Sequence, residues 1–143
     1  MADHAQLHRA VRKIACDMVK RLYPRRLGRE RQEELATSLV RQWAGYEGHA
    51  ALFTPRGRYW LELTAMPPKG FNVAVTQVPG HPIEAFLKDW KIERGQVPAI
   101  VRRLNLSQSA EFTNTLGRSL RMWIDPKQRS VHMEPLDDEN KAT

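Results

Sequence analysis

The spacing of apolar residues changes near residue 49, and that change limits the folds open to this chain. Before this point apolar side chains recur every three or four positions, which is the period of an amphipathic helix. In the stretch that follows, to about residue 78, the pattern is typical of strands. The chain has 143 residues, the length of one ordinary domain. We therefore expect one α+β domain over residues 1–136, followed by a disordered acidic tail at 137–143.

Two helices are predicted in the first third of the chain. The first covers about residues 4–22, and its apolar face is made by Leu7, Val11, Ile14, Met18 and Leu22. The second covers about residues 29 to 43 or 46, and its apolar stripe is made by Leu35, Leu39, Trp43 and Tyr46. Pro24 and Gly28 disfavour continuous helix between them. The two helices should therefore form an antiparallel hairpin.

A small antiparallel meander is expected next. Residues 50–53 are a short apolar run, and residues 54–57 have Pro and Gly at the positions that a β-turn favours. Residues 58–65 alternate between apolar and polar types. Residues 71–78 are rich in β-branched side chains, which favour strands. Three consecutive strands are the simplest arrangement of these segments.

Short helices and a closing hairpin are predicted for the remainder. Residues 83–91 have an apolar face at helical spacing. Pro98 is expected to open a further helix, and Asn105 to end it in the left-handed conformation. A third helix over 109–120 is predicted from three apolar residues at steps of four, Phe112, Leu116 and Leu120. Residues 121–134 are predicted to form a two-stranded hairpin.

The order helix, turn, helix and hairpin over residues 98–135 is the order found in winged helix-turn-helix domains. The string Arg103-Leu104-Asn105-Leu106-Ser107-Gln108-Ser109 resembles the turn of that family. The resemblance implies that 109–120 is a DNA-recognition helix and that Lys127 and Arg129 lie in the wing. Such turns usually have glycine where this string has asparagine. A helical packing unit without DNA contacts is therefore the alternative interpretation.

Positive charge is concentrated in the N-terminal part of the chain. The formal net charge is +7. Residues 1–58 carry twelve basic and six acidic residues, whereas residues 59–143 carry eleven and ten. A polyanionic partner should therefore meet the helical half first. Arginines outnumber lysines by sixteen to seven, which favours bidentate recognition of phosphate or carboxylate, although a GC-rich genome enriches arginine in the same way.

The most basic segment, residues 20–31, falls between the two predicted helices and holds six basic residues and one acidic residue. Arginine binds phosphate through paired hydrogen bonds, and tyrosine can stack on a base or donate a hydrogen bond. We therefore predict nucleic-acid contacts from Lys20, Arg21, Tyr23, Arg25, Arg26, Arg29 and Arg31. Further contacts are predicted elsewhere in the chain, from Arg58, Arg102, Arg103, Arg118, Arg121, Lys127 and Arg129. A solvated turn between helices is the alternative interpretation of the basic segment.

Two tryptophans share a predicted strand face with an arginine. Trp60 lies on the same face as Arg58, and Trp123 on the same face as Arg121. Interleaved arginine and aromatic side chains on an open sheet can stack bases and neutralise phosphates. The alternative is that both indoles fill a core, which we expect for Trp60 and leave open for Trp123.

No catalytic, metal or cofactor site can be assembled from the sequence. The single cysteine, Cys16, falls on the basic face of the first helix without an identifiable partner. His4 and His8 have a spacing that suits a metal ligand pair, but two ligands make no site. An apolar run of the length that spans a bilayer is absent, as is the pattern of a secretory signal. We therefore expect no membrane partner and a cytoplasmic location.

Three function classes remain, in order of preference. The first is a small nucleic-acid-binding accessory or regulatory protein that contacts DNA or RNA through the basic segment. The second is a non-enzymatic interaction module, an adaptor or inhibitor, that docks an acidic partner protein. The third is an enzyme, which the lack of a catalytic set makes the least favoured.

Overall fold

The computed structural model describes residues 2–55, 57–66, 68, 70–78 and 83–136, with side chains from residue 7 onward. The helices are α1 (Ala2–Leu22), α2 (Arg29–Gly45), α3 (Ile83–Asp89) and α4 (Val97–Ser107), with a 3-10 turn at Arg94–Gln96 before α4. The strands are β1 (His49–Thr54), β2 (Gly57–Ala65), β3 (Phe71–Val78), β4 (Ser109–Thr113), β5 (Ser119–Asp125) and β6 (Ser130–Pro135). The α+β class, the helical hairpin and the meander are confirmed, while the predicted tail lies outside the described residues.

The strands form two antiparallel sheets. The first sheet has the order β1-β2-β3, and the second sheet has the order β4-β5-β6. In the first sheet β1 pairs with β2 from His49 opposite Glu62 to Thr54 opposite Gly57. The pairing of β2 with β3 continues without a break from Arg58 opposite Val78 to Ala65 opposite Phe71.

The first sheet is the middle layer of the fold, with an apolar core on each face. On one face the hairpin α1–α2 packs against β1 and β2, through a core that includes Val19, Leu39, Trp43, Leu52 and Leu61. On the other face α3, α4 and the second sheet enclose a core that includes Phe53, Trp60, Leu87, Leu104 and Met122. The alternation of β1 and β2 therefore places consecutive side chains in two different cores, which is why residues 50–53 of β1 are all apolar.

Two side-chain amides occupy the outer edge of β1. Gln42 of α2 accepts a hydrogen bond from the Ala51 N–H (2.8 Å) and donates one to the Ala51 carbonyl (3.2 Å). Asn105 of α4 does the same at Phe53, at 2.8 and 3.0 Å. Each amide thus replaces the residue that a fourth strand would supply. The edge is closed to another strand, and both helices are held against it.

A small buried network connects these amides. Ser38 donates to the Asn105 carbonyl and accepts from the Gln42 amide nitrogen at 3.1 Å. Gln108 donates to the same Asn105 carbonyl at 2.8 Å. The predicted helix end at Asn105 is wrong, because α4 continues to Ser107 and it is Gln108 that adopts the left-handed conformation, with φ 62°. The side chain of Asn105 holds Phe53, while that of Gln108 caps the carbonyls at the end of α4.

The helix predicted over residues 109–120 is wrong. This segment forms β4, a loop and the beginning of β5, so the C-terminal hairpin is part of a three-stranded sheet. Phe112 and Leu120 lie opposite one another across β4 and β5, and Leu116 is in the loop with 76% of its surface exposed. The spacing of these three residues therefore reflects two paired strands and the loop between them, not one face of a helix. Without a recognition helix at 109–120, the resemblance to winged helix-turn-helix domains does not hold.

Replacing Asn105 with Ala should lower the free energy of unfolding by about 2–4 kcal/mol, because it leaves a buried N–H and a buried carbonyl of Phe53 without partners. Urea denaturation followed by far-UV circular dichroism measures the change. Asn72→Ala on the exposed part of β3 is the matched control and should shift stability by less than about 0.5 kcal/mol. Equal effects of the two substitutions would show that the edge of β1 does not depend on the Asn105 amide.

Candidate functional site

The predicted basic segment forms the connection between α1 and α2. The N–H of Tyr23 donates to the carbonyl of Val19 at 3.0 Å and closes the last turn of α1. Gly28 precedes α2 in an extended conformation and provides no side-chain cap. Gln32 then fixes the connection, because its amide nitrogen donates to the Leu27 carbonyl at 2.9 Å. The first N–H groups of α2 therefore add the positive end of a helix dipole to this region.

The connection borders an open cleft of about 760 Å³. Its lining combines basic, aromatic and polar side chains: Lys20, Tyr23, Pro24, Arg25, Arg26, Leu27, Arg29 and Gln32. The basic residues of the segment are exposed, whereas Tyr23 is half-buried and packs against the core below α1 and α2. Four basic side chains thus line one concave surface, and we name this surface the basic cleft. Of the predicted residues of the segment, Arg21 and Arg31 are exposed but do not line it.

The basic side chains of this segment differ from other cations in how they are paired. Among the residues that the structure describes, none of the carboxylates forms an ion pair with Lys20, Arg21, Arg25, Arg26 or Arg31. Arg29 contacts Glu33 at 3.3 Å, but its side chain is 92% exposed, so water weakens this pair. The positive charge of the cleft is therefore available to an external anion.

The acidic residues of α2 line a second depression on the helix pair, which adjoins the basic cleft through the Arg29–Glu33 contact. Glu30, Glu33 and Glu34 line a shallow depression of about 530 Å³ together with Arg12 and Arg41. Arg12 donates to the Thr37 hydroxyl at 2.9 Å, and Arg41 donates to the Leu106 carbonyl. Sequence reasoning missed this separation of charge around α2, because the three glutamates are only a few positions from Arg29 and Arg31.

A smaller cleft of about 290 Å³ continues from the basic cleft towards α4. The two clefts share Tyr23, Arg25 and Leu27, and the smaller one adds Arg31, Arg102 and the N-terminal residues of α3 and α4. Arg31 and Arg102 are 71 positions apart in the sequence, so no local pattern indicates that they share a surface. The fold thereby brings one arginine of the C-terminal half to the basic segment.

Most of the other predicted contact residues bind partners within the chain. Arg102 donates to both carboxylate oxygens of Glu34 at 2.9 and 3.1 Å. Three more cation–carboxylate pairs connect separate strands or turns: Arg121–Glu134 at 3.7 Å, Lys127–Glu47 at 3.0 Å and Arg129–Glu62 at 3.7 Å. Arg103 donates to the Glu111 carbonyl at 3.2 Å. These residues hold elements together, and none of them lines the basic cleft.

The remaining two predicted arginines also lie away from the basic cleft. Arg58 is on β2 and partly buried, and desolvation lowers the pKa of its guanidinium from the usual value. Arg118 is exposed in the loop between β4 and β5. Its backbone N–H donates to the side chain of Asn114 at 2.9 Å, which shapes that loop. The structure therefore distributes the fourteen predicted residues over several surfaces, and seven of them line the two connected clefts.

The two strand tryptophans have different environments. Trp60 is 5% exposed and packs edge-to-face against Phe53 with ring centroids 6.1 Å apart, so the core position expected for it is confirmed. Trp123 is half-buried, and the His132 ring stacks on it at 4.9 Å. The Arg121 guanidinium lies 5.4 Å from the Trp123 centroid, within cation–π distance. The His132 ring and the Arg121 guanidinium therefore already contact this indole.

No protein-family model matches this chain, and neither a curated protein nor a solved structure matches it. None of the helices in the described ranges is long and apolar enough to cross a membrane. In the same part of the chain, no three His, Cys, Asp or Glu side chains are grouped so that they could hold a metal ion. Cys16 was expected on the basic, solvent-facing side of α1. It is half-buried and packs against the core of the helical hairpin.

Trp60→Ala should destabilise the protein by roughly 3–5 kcal/mol, because it opens a cavity in the core beside Phe53. Trp123→Ala should cost less, about 1–2 kcal/mol, since it removes a half-buried ring and its stacking contact. Guanidinium chloride titrations of both variants measure the difference. A larger loss for Trp123 than for Trp60 would contradict this ranking of the two positions.

Proposed function

We propose that this chain is a small basic nucleic-acid-binding protein, of accessory or regulatory type, that contacts phosphates through the basic cleft. One observation supports this most directly. Five of the six basic side chains of residues 20–31 have no carboxylate partner among the described residues, whereas at least four of the seven cations predicted elsewhere have one. Unpaired guanidinium groups on a concave surface are the arrangement that binds phosphate oxygens in pairs.

The shape of the cleft suits a phosphate backbone with some exposed base surface. Lys20, Arg25, Arg26 and Arg29 would neutralise neighbouring phosphates and release counterions, which supplies most of the affinity of non-specific binding. Tyr23 forms part of the wall between the two clefts. Its ring offers a surface for one base or sugar, and this contact does not depend on sequence.

The proposal extends to DNA and RNA alike, since phosphate contacts position a nucleic acid but do not read its bases. It involves no catalytic step and no cofactor, and it places the protein in the cytoplasm. An acidic partner protein would offer carboxylates instead of phosphates to the same arginines. Binding of such a partner would be less steeply dependent on salt, because a folded protein condenses far fewer counterions than a nucleic acid.

Replacing Arg25 and Arg26 together with Ala should weaken nucleic-acid binding at least about tenfold and lower the slope of log K against log salt by about 2. Fluorescence anisotropy with duplex DNA, single-stranded DNA and RNA at several salt concentrations measures both quantities. Stability should change by less than about 0.5 kcal/mol, because both side chains are exposed.

The matched control is the double variant Lys88→Ala, Arg94→Ala. It removes the same two charges from exposed positions on α3 and the following turn, outside the basic cleft. We expect it to retain most of the affinity, because net charge alone changes only the long-range attraction. Equal losses in both double variants would contradict a phosphate site in the cleft. Absence of nucleic-acid binding by the wild type, with capture of an acidic protein, would favour the interaction module.

A further inference from the structure

The first sheet has one edge that is covered and one that is open. Gln42 and Asn105 cover β1, whereas β3 is the last strand on the other side. β3 is eight residues long and contains neither a charged residue nor a proline. Its pairing with β2 contains no bulge. It therefore lacks the usual features that prevent an edge strand from pairing with another strand.

The hydrogen-bond register shows which backbone groups of β3 point outward. The N–H of Met66 donates to the Gly70 carbonyl at 2.9 Å across the β2–β3 turn. Because bonded positions alternate along an antiparallel pair, Ala74 and Thr76 direct their backbone groups towards β2. Val73, Val75 and Gln77 then direct theirs away from the sheet. These three residues present a continuous row of donors and acceptors at the open edge.

Exposed apolar side chains accompany this edge. Val75 is 39% exposed in the centre of β3, and Met66 is 51% exposed at the adjoining turn. On the sheet face that carries Val75, an apolar groove of about 370 Å³ lies between the helical hairpin and Leu63, the residue paired with Val73. Leu7 lines this groove and is 49% exposed. A strand added at β3 would bring its own apolar side chains to this face.

We propose that β3 pairs antiparallel with β3 of a second copy of this chain, so that two first sheets become one six-stranded sheet. With a two-fold axis at Val75, the Val75 residues of the two copies lie opposite each other, and Val73 of each copy lies opposite Gln77 of the other. These are three residue pairs, and each would form two backbone hydrogen bonds, about six in total.

The symmetry and neutrality of β3 suit a second copy as the occupant of this edge. Two molecules with a formal net charge of +7 each repel one another at most orientations, so their contact must lie where both surfaces are uncharged. Self-pairing of β3 places no like charges opposite one another, because all eight residues are neutral. A two-fold arrangement is also self-complementary, so the same apolar patch around Val75 is buried on both sides.

Val75→Pro tests the pairing at its centre. Proline removes the outward N–H of residue 75 but is tolerated on an edge strand where that N–H faces solvent. Sedimentation velocity from about 10 μM to about 1 mM should show a concentration-dependent dimer for the wild type, and self-association weakened at least about tenfold for Val75→Pro. Val75→Lys should have the same effect, because the two-fold axis would bring the two ammonium groups together. This second variant keeps the test valid if the proline perturbs folding.

Ala85→Lys is the matched control for added charge, because residue 85 is exposed on α3, away from β3. It should dimerise like the wild type. Hydrogen exchange gives an independent measurement: the amides of Val73, Val75 and Gln77 should slow at least about tenfold on dimerisation, since they acquire partners. The amides of Ala74 and Thr76, already bonded to β2, should change much less. A wild type that stays monomeric at about 1 mM, or a dimer that both Val75 variants retain, would overturn the proposal.

Discussion

The contacts between two side-chain amides and the edge of β1 are the constraint on which the rest of the structure depends. β1 is buried on both faces, so the backbone groups along its outer edge have no access to bulk water and need partners within the protein. Gln42 and Asn105 supply those partners from two different helices. Because each amide forms two hydrogen bonds with one residue, α2 and α4 are fixed along the strand direction as well as against it. Ser38 and Gln108 then satisfy the neighbouring polar groups, so the buried network is closed.

The position of the clefts follows from this arrangement. Asn105 places the N-terminal half of α4 beside the α1–α2 connection, where Arg102 pairs with Glu34. That ion pair is partly exposed, so it contributes little to stability, and Arg102 also lines the smaller cleft. Most cations of the α1–α2 connection have no carboxylate partner, because among the described residues Glu33 is the one glutamate of α2 that contacts them, at the exposed Arg29. The separation of paired and unpaired arginines is thus a consequence of helix geometry.

The sequence predicted the elements whose apolar spacing is local and unambiguous. The helical period of α1 and α2 and the alternation in β2 each depend on residues within one segment, and their bounds agree closely with the structure. The error at residues 109–120 arose because Phe112 and Leu120 lie on two strands that happen to be separated by two helical steps. The exposure of the basic segment followed from its charge and its Pro and Gly residues. The pairing of Arg102 with Glu34 could not be predicted, because 68 positions separate them and only the packing of α4 on α2 brings them together.

Closing one edge of a sheet determines how far an assembly through that sheet can grow. A sheet with two open edges can receive a molecule on each side, and successive additions then lead to an open-ended filament. In the first sheet, β1 is blocked by the carboxamides of Gln42 and Asn105, so the proposed pairing at β3 would use the remaining edge and growth would stop at two copies. The Gln42 and Asn105 side chains consequently limit the size of an assembly as well as holding two helices against β1. Loss of either amide would still leave α2 and α4 packed against this edge, so the limit is set by the helices as well as by the hydrogen bonds.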